Sequence, residues 1–186
     1  CERAARVLGV DRLAEVPPGE LDAHLTRLSG SGEADADELV GRTRHVVTEI
    51  ERTRRLVALL RDDRPLAGAK LEEVGALMDA SHDSLRDDYE CSCPELDAAV
   101  EAARKAGAHG ARMTGGGFGG SAIALIDATA AGDVARAVVA AYAATGFAAP
   151  AFLNAVTSAQ AGRPVCGPAT EMSLIQHHTT TEPYNT

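Results

Sequence analysis

Five of the six residues from Gly115 to Gly120 are glycine, and Phe118 alone interrupts them. Ala111-Arg112-Met113-Thr114 leads into this run, and apolar, strand-like sequence follows at once in Ala122-Ile123-Ala124-Leu125-Ile126. Glycine visits positive φ without steric penalty and lets another group approach the bare backbone. A run of exposed N–H groups in such a turn can form a nest for phosphate oxygens. The same residues also serve as a tightly turned hairpin loop. On these residues alone both readings stand open, because a short glycine motif has low specificity.

The chain around the loop is built to fold. Hydrophobic residues make up 45% of its 186 positions, so a core can form. Aromatic residues are only 3%, with no Trp, so that core must come from Ala, Val, Leu and Ile. A formal net charge of -9 works against binding to a phosphate backbone, which needs clustered Lys and Arg. It fits a protein that handles small molecules and not nucleic acid. No apolar run approaches the roughly 18 residues of a membrane helix, and no signal-peptide pattern opens the chain. Of the four cysteines, Cys91 and Cys93 form a C-x-C pair with no partner pair at zinc-finger spacing. That usage fits free thiols in a reducing cytoplasm rather than a metal site. The sequence opens at Cys1 inside a helix-like pattern and has its first methionine at Met78, which reads as a piece of a longer protein.

Taken in order, residues 2–9 form the last turns of an amphipathic helix closed by Gly9. A turn follows at Val16-Pro17-Pro18-Gly19, then a short helix marked by Leu21, Leu25 and Leu28. A long helix spans about Ala36 to Asp62, with Leu39, Thr43, Val46, Val47, Ile50, Thr53, Val57 and Leu60 on one stripe. His45 on this helix reads as a partly buried structural residue, since no second ligand sits at i+4. A second long helix covers about Leu71 to Tyr89 and should pack antiparallel to the first. Asp79, Asp83 and Asp87 recur along it at i, i+4, which a solvated acidic face explains about as well as a site does. Ser92-Cys93-Pro94-Glu95 predicts a helix start, with Ser92 as cap and Glu95 completing a capping box. A strand at about Ala108–Thr114, the glycine loop and a strand at about Ser121–Asp127 come next. A helix at about Ala131–Thr145, with Val134, Val138, Val139 and Tyr142 inward, precedes a last strand at about Ala151–Thr157. This half is an α+β pattern: a ferredoxin-like βαββαβ split fold lacking its first strand. Residues 165–186 lack periodicity and are expected to be a disordered tail, foreign to the domain. The His177-His178 pair there reads as accidental.

Four blocks of this sequence, in order and in spacing, resemble galactokinase within the wider GHMP small-molecule kinases. They are Arg44-His45-Val46-Val47-Thr48-Glu49-Ile50, Ser81-His82-Asp83-Ser84-Leu85-Arg86-Asp87-Asp88-Tyr89-Glu90, Ser92-Cys93-Pro94-Glu95-Leu96-Asp97 and Arg112-Met113-Thr114-Gly115-Gly116-Gly117-Phe118-Gly119-Gly120. The resemblance covers about residues 1–164 and matches the C-terminal half of that enzyme. It implies a GHMP kinase C-terminal domain, with a mostly helical part over about 1–90 and the ferredoxin-like part over about 91–160. It implies transfer of the γ-phosphate of ATP to the C1 hydroxyl of D-galactose, with Mg²⁺, giving galactose 1-phosphate. It implies that Gly115, Gly116, Gly117, Phe118, Gly119, Gly120 and Ser121 line the cleft near the ATP phosphates. Phosphoryl transfer needs mainly positioning and charge stabilisation, and backbone N–H donors in a rigid turn supply both.

The departures bound that expectation. The family's galactose signature, main phosphate loop, Mg²⁺ ligand and catalytic Asp belong to an N-terminal half, and none of those motifs is present here. No catalytic or metal residue is therefore assigned, and the chain alone is expected to be inactive and to expose apolar surface where that domain would dock. Cys91 stands where the family usually has Val, and Ser121 where it often has Cys. Two alternatives share the scaffold: a sensor that binds galactose and ATP and signals through a partner, and an N-acetylgalactosamine kinase. Relatives of the latter tend to carry Gly-Ala-Gly-Trp in the loop, so Gly116 and Phe118 favour galactose.

Overall fold

A computed structural model of the chain describes residues 1–118, 120–156 and 171–176. They divide into two compact units. The first comprises Cys1–Lys70 and Ala80–Glu90; the second comprises Leu71–Asp79 and the described residues from Cys91 on.

The first unit is helical. α1 (Glu2–Leu8) ends at Gly9, whose φ of 73° provides the left-handed cap. Two short 3-10 turns lead to α2 (Leu21–Ser29), and α3 (Ala36–Arg61) follows. Ala4, Ala5, Leu8, Leu13, Val16, Leu28, Leu39 and Val47 form one buried cluster. The stripe along α3 is only partly buried. Leu39, Thr43, His45, Val47 and Leu59 are inside. Thr53, Val57 and Leu60 are exposed, against the expectation of one continuous inward stripe. The reason is length: a 26-residue helix runs roughly 39 Å at 1.5 Å per residue. The 7 residues of α1 and 9 of α2 are too short to cover it. α4 (Ala69–Asp87) runs antiparallel to α3 where its second half belongs to this unit. Glu49 meets Ser81, and His45 meets Ser84.

The second unit pairs helices with a sheet. α5 (Pro94–Lys105), β1 (Gly110–Thr114), β2 (Ser121–Leu125), α6 (Ala131–Thr145), β3 (Ala151–Val156) and β4 (Glu171–Gln176) follow in order. α5 starts at Cys93, without a side-chain cap. Ser92 is not the cap that its sequence context predicts; it lies one residue outside and donates to Asp97 Oδ1 at 2.5 Å. α5 buries Leu96, Ala99, Val100, Ala102 and Ala103, and α6 buries Val134, Val138 and Tyr142. Val139 is 45% exposed, because one residue beyond Val138 is a turn of about 100° off the buried stripe. Tyr142 donates its hydroxyl to the Glu95 carbonyl at 2.8 Å, tying α6 to the first turn of α5.

The sheet order is β1-β2-β4-β3, antiparallel throughout. It has four strands, not the three expected from a split fold lacking its first. A βαββαβ chain places its first strand between its third and fourth. Here β4 fills that position, pairing with β2 from Ser121↔Gln176 to Leu125↔Met172 and with β3 from Ala151↔Gln176 to Val156↔Glu171. Disorder was expected over this stretch, and Glu171–Gln176 is strand instead. Its pairing is set by distant neighbours, which a six-residue pattern does not announce. The rest of the sequence expectation for the tail, and for the His177-His178 pair, falls outside the described residues. Among the described residues no helix is long and apolar enough to cross a membrane.

Candidate functional site

β1 and β2 close on the pair Thr114↔Ser121, which leaves six residues for the turn. Gly115 and Gly117 adopt φ of 86° and 85°, so their glycines meet a conformational demand. Gly117 meets a steric one too: a Cβ there would lie 2.3 Å from the Cys91 carbonyl oxygen. The next N–H, of Phe118, donates to that same oxygen at 2.9 Å. Phe118 itself sits at φ 54°, a left-handed conformation rare outside glycine, and its side chain is 75% exposed. Gly120 lies close to the Thr114 carbonyl, and Ser121 begins β2 half-buried. Gly119 lies outside the described residues. Among those residues, the N–H groups of Gly115, Gly116 and Gly117 have no acceptor.

The strand that feeds the loop is held from behind. Gly75 of α4 and Gly110 of β1 meet backbone to backbone: a Cβ on Gly75 would fall 1.8 Å from the His109 carbonyl oxygen, and one on Gly110 would fall 2.4 Å from that of Gly75. Asp79, one helical turn further, accepts from the Ala111 N–H at 2.8 Å and from Arg104 Nε at 2.7 Å. Arg104 Nη2 in turn donates to the carbonyls of Asp79 and Ala111. Asp79 is therefore a tether for β1 and not part of a solvated acidic face. Asp83 and Asp87 do face outward, each paired with Arg86; the guanidinium holds the Asp87 carboxyl below its usual range.

A second polar group occupies the first unit. Arg44 donates to Asp88 Oδ1 at 2.7 Å, and Ser84 donates to Asp88 Oδ2 at 2.9 Å. With the Ser84 proton so placed, His45 Nδ1 donates to Ser84 Oγ at 3.0 Å. Arg42 reaches the Asp88 carbonyl and Glu90, and lies 5.4 Å from the Tyr89 ring centroid. His45 and Glu49 also line a groove of about 510 Å³ with Val46, Ile50, Thr53 and Tyr89. His82 is fully buried, with no side-chain surface open to a reactant. The order Asp–Ser–His places the serine between acid and imidazole, which orients side chains and does not activate a nucleophile.

Two of the four sequence blocks thus join directly, and the residue just ahead of a third reaches the fourth. Arg44–Ile50 bonds to Ser81–Glu90 within the first unit, and Cys91 bonds to the glycine loop within the second. Sequence reasoning singled out the loop but missed Asp79, Arg104 and Gly75. A glycine inside the expected Leu71–Tyr89 helix is the one sign in the sequence that was available for the last. Among the described residues no group of three or more His, Cys, Asp or Glu could hold a metal ion.

Residues 56–144 match the family described as GHMP kinases C terminal. Within it the similarity is to galactokinases. The galactokinase of Streptomyces coelicolor is 50% identical over 163 residues, covering 88% of this chain and 39% of that protein. The galactokinase of Homo sapiens is 47% identical over 137 residues, covering 73% of this chain and 32% of that protein. The crystal structure of Lactococcus lactis galactokinase complexed with galactose superposes with a TM-score of 0.66 at 35% identity, over 78% of this chain and 36% of that one. The chain spans about two fifths of the length of the Streptomyces relatives it matches.

Proposed function

We propose that this chain is the C-terminal domain of a galactokinase, which transfers the γ-phosphate of ATP to the C1 hydroxyl of D-galactose and yields galactose 1-phosphate and ADP. The observation that carries this reading is the glycine hairpin, whose Gly115, Gly116 and Gly117 N–H groups have no acceptor among the described residues, in a chain 50% identical to a galactokinase over 163 residues. In this reading Gly115, Gly116 and Gly117 offer backbone N–H groups to ATP phosphate oxygens, and the bond from Phe118 to Cys91 keeps the turn from rearranging. Gly120 and Ser121 anchor the loop to β2. Mg²⁺ supplies charge neutralisation on the transferring phosphate when bound. Its ligands, the catalytic base and the sugar contacts belong to the remaining three fifths of the relatives' length. The chain by itself is inactive, and the whole enzyme works in the cytoplasm at the entry step of galactose metabolism.

The test joins the chain to the N-terminal part of the Streptomyces coelicolor galactokinase and measures galactose 1-phosphate formed from ATP. The 186-residue chain alone should give none, and the fusion should turn over. A folded fusion with no product would defeat the reading.

A further inference from the structure

α3 carries two apolar stripes, and the first unit uses only one of them. Leu39 and Val47 lie in the cluster shared with α1 and α2. Val46, Ile50, Thr53, Val57 and Leu60 form the second stripe, in steps of four, three, four and three. That alternation is the spacing of a seam between two helices. The second stripe leaves the core as it runs on. Val46 still packs against the buried cluster, Ile50 is half-buried, and Val57 and Leu60 are 40% and 55% exposed. The groove of about 510 Å³ lies over its first half, with Tyr89 as the facing wall. Tyr89 is fixed in that place. Its ring centroid is 4.7 Å from that of His45, and Arg42 sits over it. Glu90 beside it is held at φ 53°, a conformation that persists only where the surroundings impose it. A continuous apolar stripe of this length is seldom left open on a monomer.

We propose that this second stripe of α3 seats one amphipathic helix from the part of the enzyme that precedes Cys1. The inference rests on the reading of the chain as the C-terminal domain of a longer protein. In that reading about three fifths of the relatives' length lies outside this chain. Its polypeptide enters at Cys1, which stands at the Val46 end of the stripe. Cys1, Leu13, Ala14 and Val46 line one smaller hollow of about 220 Å³, and the Cys1 Sγ is 3.9 Å from the Tyr89 hydroxyl. The spacing selects a helix as occupant, because a seam of fours and threes interdigitates with a second one. From Val46 to Leu60 the seam runs roughly 21 Å, the length of about four helical turns. Charge sets the occupant's edge. Arg54 and Arg61 are exposed, recur seven residues apart and flank the same side of the seam. The facing edge of the docked helix therefore carries Asp or Glu.

The experiment compares the 186-residue chain with its fusion to the N-terminal part of the Streptomyces coelicolor galactokinase. Both are labelled with a photolysed diazirine, which inserts into solvent-facing side chains, and are read by mass spectrometry. The peptide from Ile50 to Leu60 should label about tenfold less in the fusion. Val57→Glu should lower the thermal midpoint of the fusion by about 5 °C. It should leave that of the free chain unchanged, since Val57 is exposed there and Glu is no worse a helix former. Equal labelling of the two proteins overturns the proposal. So does a midpoint that Val57→Glu shifts equally in both, or in neither. Protection already present in the free chain, with a dimer in sedimentation, assigns the face to a second copy and overturns it too. The whole Streptomyces coelicolor galactokinase is labelled alongside. The helix matching α3 should be protected there, and its full labelling overturns the proposal even where the fusion misfolds. None of these readouts depends on turnover. Failure here is therefore distinct from failure of the kinase reading, which is judged by sugar phosphate formed in the fusion.

Discussion

The backbone N–H of Phe118 and the carbonyl of Cys91 meet at 2.9 Å, across 26 residues of intervening chain. Cys91 is buried just ahead of α5, and Phe118 is the exposed aromatic of the glycine hairpin. The bond therefore fastens the most glycine-rich turn of the protein to the entry of α5. Without it, a turn this rich in glycine would sample many conformations.

Gly117→Ala should break that fastening. The new Cβ would lie 2.3 Å from the Cys91 oxygen, at φ 85°, so neither a rotamer change nor a small shift relieves it. The expected cost is about 2–3 kcal/mol, with loss of the Phe118 bond. Gly115→Ala meets open space and bears only the conformational penalty, about 1 kcal/mol. Urea denaturation of both variants checks the ranking, which fails if the two are equally destabilised.

Gly75→Ala should be more damaging than either. Its Cβ would stand 1.8 Å from the His109 carbonyl oxygen, so α4 and β1 would have to separate. Gly110→Ala makes the same clash from the strand side, at 2.4 Å from the Gly75 oxygen. Each is expected to abolish cooperative unfolding of the second unit, seen as a flattened thermal transition in circular dichroism. A sharp transition near the natural midpoint in either variant would contradict the close approach.

These contacts show what a sequence can and cannot disclose. The helices at Glu2–Leu8, Leu21–Ser29 and Ala131–Thr145 were legible because local periodicity and glycine caps mark them. The loop was legible because five glycines in six residues have few local explanations. Gly75 and Asp79 were not, because their partners are backbone groups of a strand more than thirty residues away, and helical spacing carries no trace of them. β4 was missed for the same reason: a strand completed by β2 and β3 needs no strong pattern of its own. Ser92 erred in the other direction, where a residue one place out of register has the right chemistry for a cap and makes a different bond.

Asp79 should matter to the loop through β1. Asp79→Ala leaves the Arg104 guanidinium and the Ala111 N–H, both partly buried, without their carboxylate acceptor. A loss of about 2 kcal/mol is expected, within the range for a charged hydrogen-bonded pair broken from one side. Asp79→Asn keeps one carbonyl oxygen for the Ala111 N–H and should recover part of it. Amide exchange at Ala111 gives the direct readout: faster in the alanine variant, near natural in the asparagine one. Unchanged protection in Asp79→Ala would show that the tether is dispensable.

Tyr142 makes the stability of the second unit depend on alkaline pH. Burial pushes its phenol up to about 12 from an ordinary value of 10, with the nearby Cys93 and Glu95 charges adding to the effect. A group whose pKa is raised in the folded state holds its proton there while the unfolded chain has already released it. Its contribution is therefore fully present below pH 10 and is lost as the pH rises through about 12. Tyr142→Phe removes the titrating group and the 2.8 Å bond to the Glu95 carbonyl. The variant should be less stable than the natural chain at pH 8, by about 1 kcal/mol for the lost hydrogen bond. Above pH 10 the gap should narrow, because only the natural chain has a phenol to ionise. Urea midpoints measured for both proteins from pH 8 to 11.5 decide it: a gap that stays constant across that range would mean that Tyr142 titrates with its ordinary pKa in the folded protein.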